Sequence, residues 1–188
     1  QAGERYISRV RSVQSQPIQD IFAQINGRIN QEFENHPEYH DSVALQKKHI
    51  PYIGELLLGH VRYGTFGKNS VESVHPFLRQ NNWMHRNLIL AGNFNMTNTN
   101  ELNERMKDRG QHPVYGTDTQ TVLEEIGFHV DEAHTGIYHE LRDEGIPGDH
   151  TAEKISARLN LAHIVAESAK GWDGGYCISG VVGNGDLF

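Results

Sequence analysis

Arg62 closes the apolar run Glu55–Tyr63 (ELLLGHVRY). A guanidinium at the end of an otherwise apolar segment must find an anionic partner. Its planar fork is the side chain best shaped to take a carboxylate through two parallel hydrogen bonds, from a protein group or a ligand. Thr65, in the turn Gly64–Gly67, could lend its hydroxyl or backbone N–H to the same carboxylate. Asp118 lies in GTDTQ (Gly116–Gln120), just ahead of a helical pattern. Asp or Thr there is an ordinary N-cap, and Asp118 could also accept an ammonium group; the two jobs do not exclude each other. Asn93 and Asn95 sit in AGNFNMTN, after the run Leu88–Ala91. An Asn amide beside exposed backbone N–H groups can stabilise a tetrahedral oxyanion, worth about 3–4 kcal/mol per donor. Taken singly, each Asn is explained by a turn, since Asn tolerates left-handed backbone. The chain therefore carries candidate anchors for a carboxylate, an ammonium and an oxyanion.

A nucleophile is harder to find. Cys177 is the only cysteine and lies inside GGYCISGVV, where it reads as an inert, small hydrophobe. Position 1 is Gln, which cannot attack a carbonyl.

The elements that must hold these groups follow from periodicity and punctuation. Arg5–Val13 alternates enough to predict a strand. Apolar residues at Ile18, Ile21, Phe22, Ile25, Ile29 and Phe33 predict a helix over Pro17–Asn35, with Ser15 or Gln16 at its N-cap. A short helix is expected over about Asp41–His49. Glu55–Tyr63 predicts a buried central strand, with shorter strands at Ser73–Phe77 and Leu88–Ala91. Asn98 or Thr99 caps a helix that Gly110 ends. Asp118–Glu144 is helical, mildly broken at Gly127 and Gly136, and Thr151–Lys170 is its antiparallel neighbour. Gly174–Val182 is expected to be a buried strand, turning at Gly183–Asp186 into Leu187–Phe188. The start without Met and the stop within a returning strand predict a piece cut from a longer chain. With no repeat or linker, residues 1–188 read as one domain of layered α+β class.

The order of GHVRYGTFG (59–67), HPF (75–77), AGNFNMTNTNEL (91–102) and TDTQ (117–120) resembles the class II, N-terminal nucleophile, glutamine amidotransferases. Within that class the pattern is most similar to the amidophosphoribosyltransferases. The resemblance implies a four-layer αββα sandwich, incomplete at its N-terminus. It implies that Arg62 and Thr65 hold the carboxylate of L-glutamine, that Asp118 holds its amine and that Tyr63 packs beside them. Asn93 would be the side-chain oxyanion donor, and the backbone N–H of Phe94 the second. Where the family usually reads HNGN, this chain has Gly92-Asn93-Phe94-Asn95, and Phe resists the positive φ that the usual Gly permits. The family nucleophile is an N-terminal Cys using its own α-amine as base, and this chain does not supply it. By resemblance the parent passes ammonia to phosphoribosyl pyrophosphate in a further domain, absent here, that uses Mg2+. No cofactor is expected in this chain, the parent is expected to be a homo-oligomer, and the fragment is expected to be inactive. Another class II enzyme such as a glucosamine-phosphate synthase, or a non-catalytic module that keeps the binding residues, remains an alternative.

Composition excludes several other classes. With 17 basic and 24 acidic residues the formal charge is −7 and the pI about 5.9, against a nucleic-acid footprint or a basic membrane patch. No apolar run approaches the roughly 18 residues of a membrane span. A lone cysteine fits a reducing, cytoplasmic setting. There are 12 histidines. His36 and His40 are four apart, but Pro37 intervenes and no HExxH pattern exists. The set His129, His134, His139, His150 and His163 reads as solvated or half-buried packing residues.

Overall fold

The computed structural model describes residues 6–61, 70–112 and 117–188. It divides into two compact units, Gln1–Pro76 and Phe77–Phe188.

In the first unit, α1 spans Pro17–Asn35, as the apolar spacing predicts. Pro17 occupies the first turn, where its missing N–H costs no hydrogen bond. Gln16 is the N-cap but makes no side-chain capping bond. The apolar stripe stays largely open: no residue of α1 is fully buried, and Ile18 and Phe22 are 57% and 59% exposed. After a 3₁₀ turn at Pro37–Asp41, α2 covers Val43–His49. Its cap is Ser42, whose hydroxyl accepts from Leu45 N at 3.3 Å.

Among the described residues, neither of the two strands predicted here forms. Residues 7–13 carry no strand pairing. Their arginines instead anchor the segment by side chains: Arg11 donates to Val74 O (3.1 Å) and Arg9 to Pro76 O (3.5 Å). Tyr52 Oη donates back to Arg9 O at 3.2 Å. Residues 55–61 are likewise without strand pairing, and Leu57 is 84% exposed. A continuous apolar run becomes a central strand only with neighbours on both edges and cover on both faces, and this one has no ladder partner among the described residues. The remainder of that run, with Arg62, Tyr63 and Thr65, lies outside the described residues. The strand predicted over Ser73–Phe77 is displaced: Val71–Ser73 is a 3₁₀ turn, and pairing starts only at Phe77.

The second unit holds a three-stranded antiparallel sheet in the order β1 (Phe77–Arg79), β2 (Leu88–Met96), β3 (Gly174–Val182). Its register pairs Phe77 with Leu90, Leu88 with Val182, Asn93 with Cys177 and Met96 with Gly174. Four helices accompany it: α3 (Thr99–Asp108), α4 (Asp118–Asp143), α5 (Gly148–Arg158) and α6 (Leu161–Ser168). One face of the sheet meets the helices. Phe77, Leu88, Leu90 and Val182 join Val122, Leu123, Ile126 and Val130 of α4 and Ile164 of α6 in one core. Phe94 and Ile178 extend that face toward its rim. The result is a mixed α+β arrangement with helices on one side of an antiparallel sheet, as the blocks of helix and strand in the sequence predict.

Two helical segments differ in detail from expectation, and a third, α3, agrees with it. α4 runs unbroken through Gly127 and Gly136. Gly127 has a packing reason: a Cβ there would stand 2.6 Å from Arg79 Cδ, so glycine lets the β1 arginine cross the helix. Arg79 then meets Asp131 (Nη2–Oδ2 2.6 Å) and Glu124 (Nε–Oε2 3.3 Å). The helix predicted over Thr151–Lys170 is two helices. The chain is extended at Leu159, and Asn160 starts α6 by accepting from His163 N at 3.0 Å. α3 begins after Asn98, with Gly110 at φ +81° just beyond its end.

The closing hairpin is as predicted. Gly180 and Phe188 exchange backbone hydrogen bonds at 2.9 and 3.1 Å. β3 is less buried than its composition predicts: Gly180 and Val182 are enclosed, whereas Gly174–Cys177 are exposed.

Candidate active site

The segment AGNFNMTN, predicted to turn, is strand through Met96. Its backbone directions can be fixed from two bonds. Thr97 N donates to Asp173 O at 2.9 Å, so the odd-numbered residues of β2 form the ladder with β3. Backbone N–H groups alternate along a strand, so those of Phe94 and Met96 point to the other edge. There Met96 N donates to Asp118 Oδ2 at 3.0 Å. The N–H of Phe94 thus stands on the same edge as Asp118, two residues or about 7 Å along the strand.

Phe94 needs no unusual backbone. Among the described residues Tyr52 is the only non-glycine with positive φ, so the objection that Phe resists left-handed geometry does not arise here. The Phe94 ring turns toward the helical face and lies over Gly92, where a Cβ would come 3.0 Å from ring carbons and 2.5 Å from Cys177 O. Glycine at 92 therefore permits this strand pair to close.

Asn93 points the other way, onto the sheet face opposite the core, and is exposed. Its cross-strand partner is Cys177, which is free and exposed. This corrects the expectation of an inert, buried cysteine. The apolar letters around it belong to Ile178, which faces the core, and to Tyr176, which is 42% exposed and meets Trp172 edge-on.

Asp118 is not the helix cap. Thr117 takes that role, its Oγ1 accepting from Gln120 N at 3.3 Å. Asp118, the first residue of α4, is left to bridge elements: Oδ2 accepts from Met96 N and Oδ1 from Thr99 Oγ1 at 2.9 Å. The end of β2 and the start of α3 are thereby tied to the start of α4. Asn98 completes the corner, accepting from Asp173 N (3.1 Å) and donating to Gly171 O (2.8 Å). An ionised carboxylate has about four lone-pair positions. Two remain on Asp118 for a cationic ligand. Thr99 was visible in the sequence only as a helix-capping residue; a contact made nineteen positions away leaves no local signal.

A second buried polar group went unrecognised. His134 is 1% exposed and His85 fully enclosed, their ring centroids 5.8 Å apart. Arg86 Nη2 donates to His134 Nδ1 at 3.0 Å, so the neutral ring keeps its proton on Nε2, which is buried without an acceptor. Burial first, then the Arg86 and His85 charges, push the His134 pKa down to about 4, against a smaller opposing pull from Asp131. An unfolded histidine titrates near 6.5. Between these values the unfolded chain binds the extra proton, so the contribution is intact above about pH 6.5 and is lost as the pH falls toward 4. Urea midpoints should therefore fall from pH 7 to pH 4.5, and His134→Gln should flatten that slope. An unchanged slope in the variant would contradict the assignment.

Among the described residues no group of three or more His, Cys, Asp or Glu is placed to hold a metal ion, and no helix is long and apolar enough to cross a membrane.

Residues 22–143, more than half of the chain, match the family model of class II glutamine amidotransferases. The chain belongs to this family. The matched span includes Asn93, Phe94 and Asp118, as well as Arg62, Tyr63 and Thr65. Among curated relatives, the amidophosphoribosyltransferase of Haemophilus influenzae is 28% identical over 134 residues, 70% of this chain and 22% of that protein. That of Lacticaseibacillus casei is 34% identical over 73 residues, 39% of this chain and 37% of the relative. Amidophosphoribosyltransferase 3, chloroplastic, of Arabidopsis thaliana is 32% identical over 70 residues, 37% of this chain and 13% of the relative. The chain thus spans well under half the length of these relatives. The β2–α4 corner lies within the matched span.

Proposed function

We propose that this chain is the glutamine-binding part of an amidophosphoribosyltransferase, within a four-layer αββα sandwich of the N-terminal nucleophile type. The observation that carries this reading is the Asp118 carboxylate, held by Met96 N and Thr99 Oγ1 at the β2–α4 corner inside the family-matched span.

In the reaction, a cysteine thiol adds to the side-chain carbonyl of glutamine, and ammonia leaves as a γ-glutamyl thioester forms. Water then cleaves the thioester, releasing glutamate and restoring the thiol. Asp118 accepts hydrogen bonds from the substrate ammonium, while Arg62 and Thr65 hold its carboxylate and Tyr63 packs beside it. The Asn93 amide and the Phe94 N–H receive the oxyanion of each tetrahedral intermediate. Such donors act because charge develops on that oxygen only as the carbonyl is attacked. Ammonia displaces pyrophosphate from phosphoribosyl pyrophosphate in a further domain to give 5-phosphoribosylamine, and Mg2+ belongs to that domain. The setting is cytoplasmic and the assembled enzyme a homo-oligomer. The names of the relatives support the acceptor.

Arg62→Ala in the longer protein should raise the glutamine KM at least tenfold and leave ammonia-dependent phosphoribosylamine synthesis within about twofold. Loss of a bidentate charged contact costs about 1.5–3 kcal/mol, which sets that scale. Equal loss of both activities would refute the assignment of Arg62.

A further inference from the structure

We infer that Thr99 is a positioning residue for Asp118, fixing the carboxylate so that its free lone pairs serve the substrate ammonium. The inference rests on the glutamine-binding reading above and adds a residue to it. A carboxylate attached through one methylene can rotate about two torsions, and an exposed one would sample several orientations. Asp118 is half-buried and has both oxygens engaged, each by a donor from a different element. The backbone N–H of Met96 cannot be removed by changing a side chain, and it fixes only Oδ2. Rotation about that bond is prevented by the Thr99 hydroxyl on Oδ1.

Thr99 has nothing to gain as a cap, because Asn98 occupies the cap position and the Thr99 hydroxyl faces Asp118 rather than its own helix. A hydroxyl is suited to this task, since it neutralises no charge and leaves the anion able to bind a cation. A Lys or Arg in its place would satisfy Asp118 internally and compete with the ligand. Thr99 acts through Asp118 and touches no reacting atom.

The test is calorimetric titration of the 188-residue chain with L-glutamine and, in parallel, with glutaramate, the same molecule without its amino group. Thr99→Val, which keeps the shape and removes the hydroxyl, is expected to raise the glutamine Kd about tenfold while the glutaramate Kd stays within twofold. Thr99→Ser should restore glutamine binding to within about twofold of the parent chain. Equal weakening of both ligands would show that Thr99 merely maintains the corner, and would overturn the inference. So would unaltered glutamine binding in Thr99→Val alongside weakened binding in Asp118→Asn; the glutamine-binding reading would then survive without Thr99. If Asp118→Asn leaves glutamine binding unchanged, or the parent chain does not bind glutamine, the reading itself fails and the inference with it.

Discussion

Glutamine incubated with this 188-residue chain is expected to yield glutamate no faster than buffer alone, and Cys177→Ser is expected to change nothing. The reason lies in the surroundings of the chain's single thiol. Nucleophilic catalysis needs a base within hydrogen-bond reach of the attacking atom. On its face of the sheet Cys177 has Asn93 across from it and Gly175 and Ser179 along the strand, and none of these can take a proton at neutral pH. Exposure alone gives a thiol access without activation. The rate contribution of an absent nucleophile and base is of order a millionfold in hydrolases that use them, so the difference is easily read by enzymatic assay of glutamate. Release that disappears in Cys177→Ser would make Cys177 the nucleophile and overturn the roles given to both strands.

The second large effect concerns the core. Ile126→Ala should destabilise the chain by about 2–5 kcal/mol, because Ile126 is fully enclosed between α4 and the sheet and its loss leaves a cavity. Leu57→Ala should cost under about 0.5 kcal/mol, since Leu57 is 84% exposed. The two substitutions remove similar hydrocarbon from residues that look equally apolar in sequence. Urea midpoints measured side by side would separate them, and a Leu57→Ala loss comparable with that of Ile126→Ala would show that residues 55–61 are buried after all.

That contrast explains what the sequence could convey. α1, α3 and α4 were legible because their apolar spacing and end residues are local: Pro17 in a first turn, Thr117 as a cap, Gly110 beyond an end. Residues 55–61 were not, because an apolar run states a demand for cover without naming what supplies it. β2 was cut short because Gly92, Asn93 and Asn95 are turn formers, although Gly92, Phe94 and Met96 on one face against Asn93 and Asn95 on the other has the two-residue period of a strand. Cys177 was assigned by the company of its letters, whereas its burial depends on which face it occupies. The order of motifs singles out Asn93, Phe94 and Asp118, which share the β2–α4 corner. The clasp of Asp118 by Thr99 and Met96, and the enclosure of His85 against His134, are tertiary facts. Arg62, Tyr63 and Thr65 rest on their motif.

The solitary thiol on β3 also makes the molecule convenient to watch. A maleimide fluorophore or nitroxide can attach at one position only, directly across the ladder from Asn93, where paired side chains stand about 5 Å apart. A tag there would sit beside Asn93, so emission or electron-spin spectra would register whatever occupies that face without any engineered cysteine.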